Sequence, residues 1–283
     1  MEKNFQEKLR LPAVAGQFYP GEKKELEKMI DEFLNLAKVP KIEGEIFGLI
    51  LSHAGYVFSG PVSAYGFKAI SGKDFKTVIL IGDSHYERFE GVSIWEKGIW
   101  ETPLGKNKVN EKLAKEILSH SKRFFVRDSA HLFEHCLEVQ LPFLQKVLKD
   151  FEILPIVFGS ENEDWKDLAR AILNSMKEKT LIIASSDLSH YPPYEIAKNA
   201  DFQTIEGILT LDPEKFSKKI EELEKKFFGV DTFACAQDSI KTILEISKNL
   251  KAKAKLLKYQ NSGDTFFGEK SQVVGYSAIA FYK

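Results

Sequence analysis

Three apolar runs in this chain end in the same way. Residues 78–81, Val-Ile-Leu-Ile, pass into Gly82-Asp83-Ser84-His85. Residues 47–51 pass into Ser52-His53-Ala54-Gly55, and residues 181–184 into Ser185-Ser186-Asp187-Leu188-Ser189-His190. Short continuous runs of apolar and β-branched residues mark strands buried on both faces of a sheet. In open α/β sheets, ligands bind outside the carboxyl ends of the strands. Three of the six histidines therefore fall at such ends. This grammar predicts an α/β fold, a three-layer α/β/α sandwich around a mixed, largely parallel central sheet. It also predicts one site assembled from distant parts of the chain.

The segments between the runs are mostly helical. Leu26, Met29, Ile30, Phe33, Leu34 and Ala37 have helical spacing, and Pro40 ends the pattern. Ser59-Gly60-Pro61 reads as a helix start, with Ser59 as N-cap and Pro61 in the first turn. Residues 111–120, 165–176, 195–209 and 213–226 read as further helices, and 153–158 as a strand. Residues 91–102 read as a strand pair around Lys97-Gly98. Residues 131–148 read as one amphipathic helix that Pro142 kinks or breaks. Residues 232–250 read as a helix with Cys235 in its first turn. Residues 255–259 and 272–282 complete the strands, joined by a polar loop over 260–268. Residues 11–20 are too rich in Pro and Gly for a regular element and too apolar for a solvated tail, so they are expected as an ordered arm. Strands alternating with helices, without a linker or fixed repeat, predict a single domain over 1–283.

Several function classes drop out at this stage. A net charge of −1 gives no long-range attraction to nucleic acid or to an anionic membrane. No apolar run approaches the ~20 residues that span a bilayer, and the charged residues 1–10 lack the core of a signal peptide. Two cysteines make no disulfide framework, which fits a reducing, cytoplasmic setting. No Gly-rich phosphate loop is present, so no nucleotide cofactor is expected. A homo-oligomer is compatible with the composition.

The remaining polar groups suit metal or proton chemistry. Neutral imidazole is the commonest metal ligand and also a general base near neutral pH, so His53, His85 and His190 fit both roles. Asp83 and Asp187 precede their histidines closely enough to orient an imidazole, or else to cap the following turn. Cys235 is either a small buried hydrophobe or, in a helix first turn, a thiol biased toward thiolate and able to bind metal. His131, His135 and Glu138 share one helix face if 131–148 is helical, which makes them a rival metal set. No Glu lies between the two histidines at the spacing of a zincin, so His135 and Glu138 are expected to line the pocket.

Taken together, residues 11–20 (Leu-Pro-Ala-Val-Ala-Gly-Gln-Phe-Tyr-Pro), Ser52-His-Ala-Gly-Tyr56, Gly82-Asp-Ser-His85, residues 134–143 (Glu-His-Cys-Leu-Glu-Val-Gln-Leu-Pro-Phe) and Ser185-Ser-Asp-Leu-Ser-His190 resemble the Memo family. Its prokaryotic members are also called AmmeMemoRadiSam system protein B. The resemblance runs from the arm to the last strand. That family in turn resembles the class III extradiol ring-cleaving dioxygenases in fold. By this resemblance His53 and His85 match the dioxygenase metal histidines, and His190 matches the acid/base histidine. Cys235 stands where those enzymes carry a ligand glutamate. The resemblance implies a single transition metal ion, Fe, Cu or Zn, with Cys235 favouring the thiophilic ones. Two functions follow as expectations. One is redox or dioxygenase-like chemistry on a small molecule, with His190 and Asp187 as catalytic groups. The other is a binding module that takes a peptide or phosphopeptide in the same pocket without turnover.

Overall fold

The computed structural model describes residues 8–159, 163–266 and 268–283. Residues 1–7 of the charged N-terminal segment and position 267 of the polar loop lie outside the described residues. In chain order the elements are β1 (Leu9–Arg10), α1 (Lys23–Leu36), β2 (Ile46–Leu51), α2 (Tyr56–Ala69), β3 (Thr77–Asp83), β4 (Val92–Ile94), β5 (Ile99–Thr102) and β6 (Gly105–Lys108). There follow α3 (Glu111–Leu118), β7 (Phe124–Phe125), α4 (Ser129–Leu132), α5 (Leu141–Val147), β8 (Glu152–Phe158), α6 (Asp164–Ser175) and β9 (Thr180–Ser185). The chain ends with α7 (Tyr194–Leu209), α8 (Pro213–Lys226), α9 (Gln237–Asn249), β10 (Lys253–Asn261) and β11 (Gly275–Tyr282).

The central sheet has 8 strands in the order β10-β11-β2-β9-β3-β8-β4-β7. Its middle, β2-β9-β3-β8, is parallel, so those carboxyl ends lie along one edge. β11 and β4 pair antiparallel on either side, which makes the sheet mixed. The apolar runs are buried on both faces, and alternation divides them between two cores. Leu49, Leu51, Val78, Leu80, Leu181 and Ile183 face Leu26, Phe67 and Phe143 of α1, α2 and α5. Ile50, Ile79, Ile81, Ile182 and Ala184 face Trp165, Phe216 and Ile243 of α6, α8 and α9. Burial of a side chain of this size contributes ~1.5–3 kcal/mol, so both helix layers are held firmly to the sheet. The expected three-layer α/β sandwich is therefore present. Among the described residues, no helix is long and apolar enough to cross a membrane.

Four local expectations are corrected. The runs around Lys97-Gly98 do not pair with each other: β4 joins β8 in the central sheet, and β5 lies between β1 and β6 in a separate sheet. Gly98, at φ +91, still makes the turn, but each apolar run finds a longer partner elsewhere. α2 begins at Tyr56 rather than near Ser59, because the Tyr56 N–H donates to Phe18 of the arm, and Pro61 sits inside the helix. α9 begins at Gln237, leaving Cys235 in the turn before it. Residues 131–148 are not one helix: irregular backbone over 133–137 separates α4 from a 3-10 turn over Glu138–Gln140, which runs directly into α5. Pro142 marks the start of α5, where a missing N–H leaves no partner unsatisfied. The arm is ordered as expected, with Val14 and Tyr19 buried.

Candidate metal-binding site

β2, β9 and β3 are neighbours, so the loops leaving them meet at one edge. His53 follows β2, His85 follows β3, and Asp187 and His190 follow β9. The loop from Glu134 to Leu137 closes over this edge. Gly82 makes that possible, since a Cβ there would collide with the Cys136 sulfur.

Hydrogen bonds fix how two of the imidazoles present themselves. His53 Nδ1 lies 3.1 Å from Ser185 Oγ. That hydroxyl donates its only proton to the Cys136 carbonyl at 2.7 Å and accepts from Gln140 Nε2 at 2.8 Å. His53 Nδ1 must then be the donor, which leaves the lone pair on Nε2. His53 Nε2 lies 3.3 Å from Cys235 Sγ. His85 is held by Glu134, whose Oε1 is 2.9 Å from Nδ1 and whose Oε2 accepts the His85 backbone N–H at 2.7 Å. A carboxylate on Nδ1 sets the tautomer that leaves Nε2 for a metal.

His135 completes the group. Its ring centroid lies 5.3 Å from that of His53 and 4.7 Å from that of His85. Ligand atoms of His53, His85 and His135 all fall within 4.8 Å of one another, as do those of His85, Glu134 and Cys136. Either trio could hold a metal ion. His135 Nδ1 is buried and has no hydrogen-bond partner, although Glu134 Oε1 is 3.3 Å away, at an unsuitable angle. An orphaned imidazole nitrogen beside two others fits a metal ligand, and imidazole with thiol is a donor set for Zn, Cu or Fe.

The electrostatics are unequal around this cluster. Burial, reinforced by the neighbouring His85, holds the His53 pKa well below its ordinary value. Burial, with His53 and His85 beside it, pulls His135 down to about 3. Both are neutral in the physiological range, as metal binding requires. For His85 burial also disfavours the charge, but bonds to the Cys136 and Cys235 thiols and to Glu134 outweigh it and raise the pKa. Metal capture at His85 would therefore release a proton. Burial opposes ionisation of Glu134, yet the His85 bond and charge hold it below the usual carboxylate range.

The structure places the sequence candidates as follows. His53, His85, His135 and Cys235 converge. Burial raises the Cys235 pKa, against the thiolate expected of a helix first turn, although the Asp187 N–H donates to its sulfur at 3.2 Å. Deprotonation there would fall to a bound cation. Asp187 Oδ1 accepts the His53 backbone N–H at 2.8 Å, which ties the ends of β2 and β9 together. His190 Nδ1 lies 2.9 Å from the Leu188 carbonyl, an acceptor only, so Nδ1 donates there and Nε2 lies outside this bond.

Two expectations about the site are corrected: Asp83 does not orient the His85 imidazole, and Glu138 does not line the pocket. Asp83 caps α9 through the Asp238 and Ser239 N–H groups and the Ser239 hydroxyl. Glu138 is buried against Arg10 and the arm, because residues 131–138 do not form the helix that would have turned it toward His135. Glu134, Cys136, Ser185, Gln140 and Phe18 were not singled out from sequence. All five fall at or beside a quoted motif, and a carboxylate next to His135 was the available signal for Glu134.

Fold and site together define an α/β/α sandwich carrying a histidine-rich, thiol-containing cluster at the carboxyl edge of its parallel strands. A family model for Memo-like proteins matches residues 10–280. The chain is 40% identical to a MEMO1 family protein of Nitrosopumilus maritimus, over 96% of this chain and 99% of the relative. It is 37% identical to MEMO1 family proteins of Sulfurisphaera tokodaii, over 96% of this chain and 99% of that relative, and Pyrobaculum aerophilum, over 98% and 100%. The chain belongs to the Memo family.

Proposed function

We propose that this Memo-family protein is a metal-dependent redox enzyme acting on a small molecule. The observation that carries this reading is the meeting of His53, His85, His135 and Cys235 at one strand edge, with the Nδ1 protons of His53 and His85 engaged away from the cluster. His53, His85 and Cys235 are assigned as ligands, with His135 beside them. A bound Fe, Cu or Zn would supply an electrophilic centre, and Fe or Cu would also supply redox chemistry. Asp187 holds the His53 loop and aims its N–H at the Cys235 sulfur. His190, whose Nδ1 is engaged by the Leu188 carbonyl, takes the role of proton acceptor from a bound ligand through Nε2. The His85 side chain is 29% exposed while that of His53 is 3% exposed, so a ligand reaches the cluster from the His85 side.

The test is an anaerobic titration of protein purified without an affinity tag or added metal, using Fe(II), Cu(I) and Zn(II). The loaded forms are then screened for oxygen consumption with a panel of small reductants. We expect one ion per chain, turnover with a redox metal, and loss of turnover but not of metal in His190→Asn. Metal uptake without turnover on any reductant would favour the binding module that takes a peptide. Failure to take up metal would overturn the reading.

A further inference from the structure

Arg10 of β1 stands directly before the N-terminal arm. Arg10 is fully buried, 121 residues away in sequence from the first group it holds. Its Nε donates to the His131 carbonyl at 2.9 Å, Nη2 to the Glu134 carbonyl at 2.7 Å, and Nη1 to Glu138 Oε2 at 2.6 Å. The guanidinium lies over Trp100, 4.1 Å from the ring centroid. Glu138 is in turn saturated by the arm: it accepts from the Ala13 and Val14 N–H groups at 2.8 and 3.0 Å and from the Tyr19 hydroxyl at 2.6 Å.

This explains why the helix stops after Leu132 and residues 133–137 are irregular. In a helix the carbonyls of His131 and Glu134 would accept N–H groups from later turns. Arg10 supplies those donors instead, in a planar fork that an ammonium could not reproduce. The freed backbone can then turn Glu134 onto His85 and His135 toward His53. The arm also touches the cluster directly. The Phe18 ring lies 4.8 Å from the His135 ring, and the Phe18 carbonyl accepts the Tyr56 N–H just after His53.

We infer that the N-terminal arm is the positioning element of the cluster, with Arg10 holding the loop that carries Glu134 and His135 and Phe18 setting the His135 ring. This rests on the metal-binding reading only for its affinity readout. Outer groups that orient metal ligands typically change affinity ~10- to 100-fold when removed, and that is the size expected here.

The experiment uses full-length protein and compares the parent with Arg10→Met, Arg10→Lys and Phe18→Leu. Zn(II) affinity is measured by competition with a chromophoric chelator. The imidazole nitrogen signals of the metal-free, 15N-histidine-labelled proteins are recorded alongside. Arg10→Met is expected to lower Zn(II) affinity ~10- to 100-fold and to shift or broaden the His85 and His135 signals while those of His190 stay in place. Arg10→Lys keeps the charge beside Glu138 but loses the fork, so it should not restore either readout. Phe18 is only half-buried, so Phe18→Leu should fold even if the Arg10 variants do not, and it should move His135 alone. Folded variants with parental affinity and unchanged His85 and His135 signals would overturn the inference. Should the parent itself bind no Zn(II), the metal reading fails, and the imidazole signals still decide the role of the arm.

Discussion

Glu134 and Glu138 lie one helical turn apart in sequence and are both buried, at 1% and 0% exposure, yet they do opposite work. Glu134 takes the His85 ring and backbone N–H groups and the Cys136 N–H, partners that belong to the cluster. Glu138 takes a guanidinium, a phenol and two arm N–H groups, partners that belong to the scaffold. Burial therefore does not tell a functional carboxylate from a structural one. The partner does: an imidazole can exchange its proton for a metal, whereas an arginine stays charged and can only hold.

Breaking the scaffold side should have the largest effect. Glu138→Ala leaves the Arg10 charge buried without its counter-ion, and such a loss costs ~3–5 kcal/mol. A fall of that size in unfolding free energy, measured by urea denaturation, is expected; a fall below about 1 kcal/mol, the range of exposed ion pairs, would remove the distinction. Glu134→Gln should act mainly on the cluster. Metal affinity should fall ~10- to 100-fold while stability falls by roughly 1–2 kcal/mol, measured by metal competition and denaturation on the same sample.

The smallest effect concerns His131, on the scaffold side of the same loop. Its ring lies near Trp95 and Trp100, and Nε2 is 3.0 Å from Ser93 Oγ. Burial first, then Arg10 and Lys8, pull its pKa from 6.5 down to about 3. Between those values the unfolded chain binds more protons than the folded one, so stability is present above 6.5 and is lost as pH falls toward 3. The loss attributable to this residue is roughly 1 kcal/mol over the first unit below that upper value. His131→Gln should flatten that part of the acid limb, and an unchanged slope in denaturation from neutral to acid pH would place the proton uptake elsewhere.

The strand edge was legible in the sequence because parallel strands buried on both faces must be continuously apolar, and the polar groups after residues 51, 81 and 184 then have only one edge to occupy. α8 was legible for a local reason: Asp212 caps it through the Glu214 and Lys215 N–H groups, and Pro213 opens it. The loop over 131–140 was not legible. Its residues carry a helical period, but the groups that break the helix come from Arg10, 121 residues from His131 along the chain. Non-local donors leave no periodic trace, so Glu138 was expected where Glu134 stands. Only the family resemblance put Cys235 with the histidines, and its environment was not legible, since the start of α9 depends on the Asp83 carboxylate that caps it.

The most direct test of the central claim is X-ray absorption at the zinc edge of protein loaded with one equivalent of Zn(II). The account requires imidazole nitrogen at ~2.0–2.1 Å together with one sulfur at ~2.3 Å, the sulfur shell disappearing in Cys235→Ser. A shell of nitrogen and oxygen alone, or a sulfur shell that survives Cys235→Ser, would contradict it.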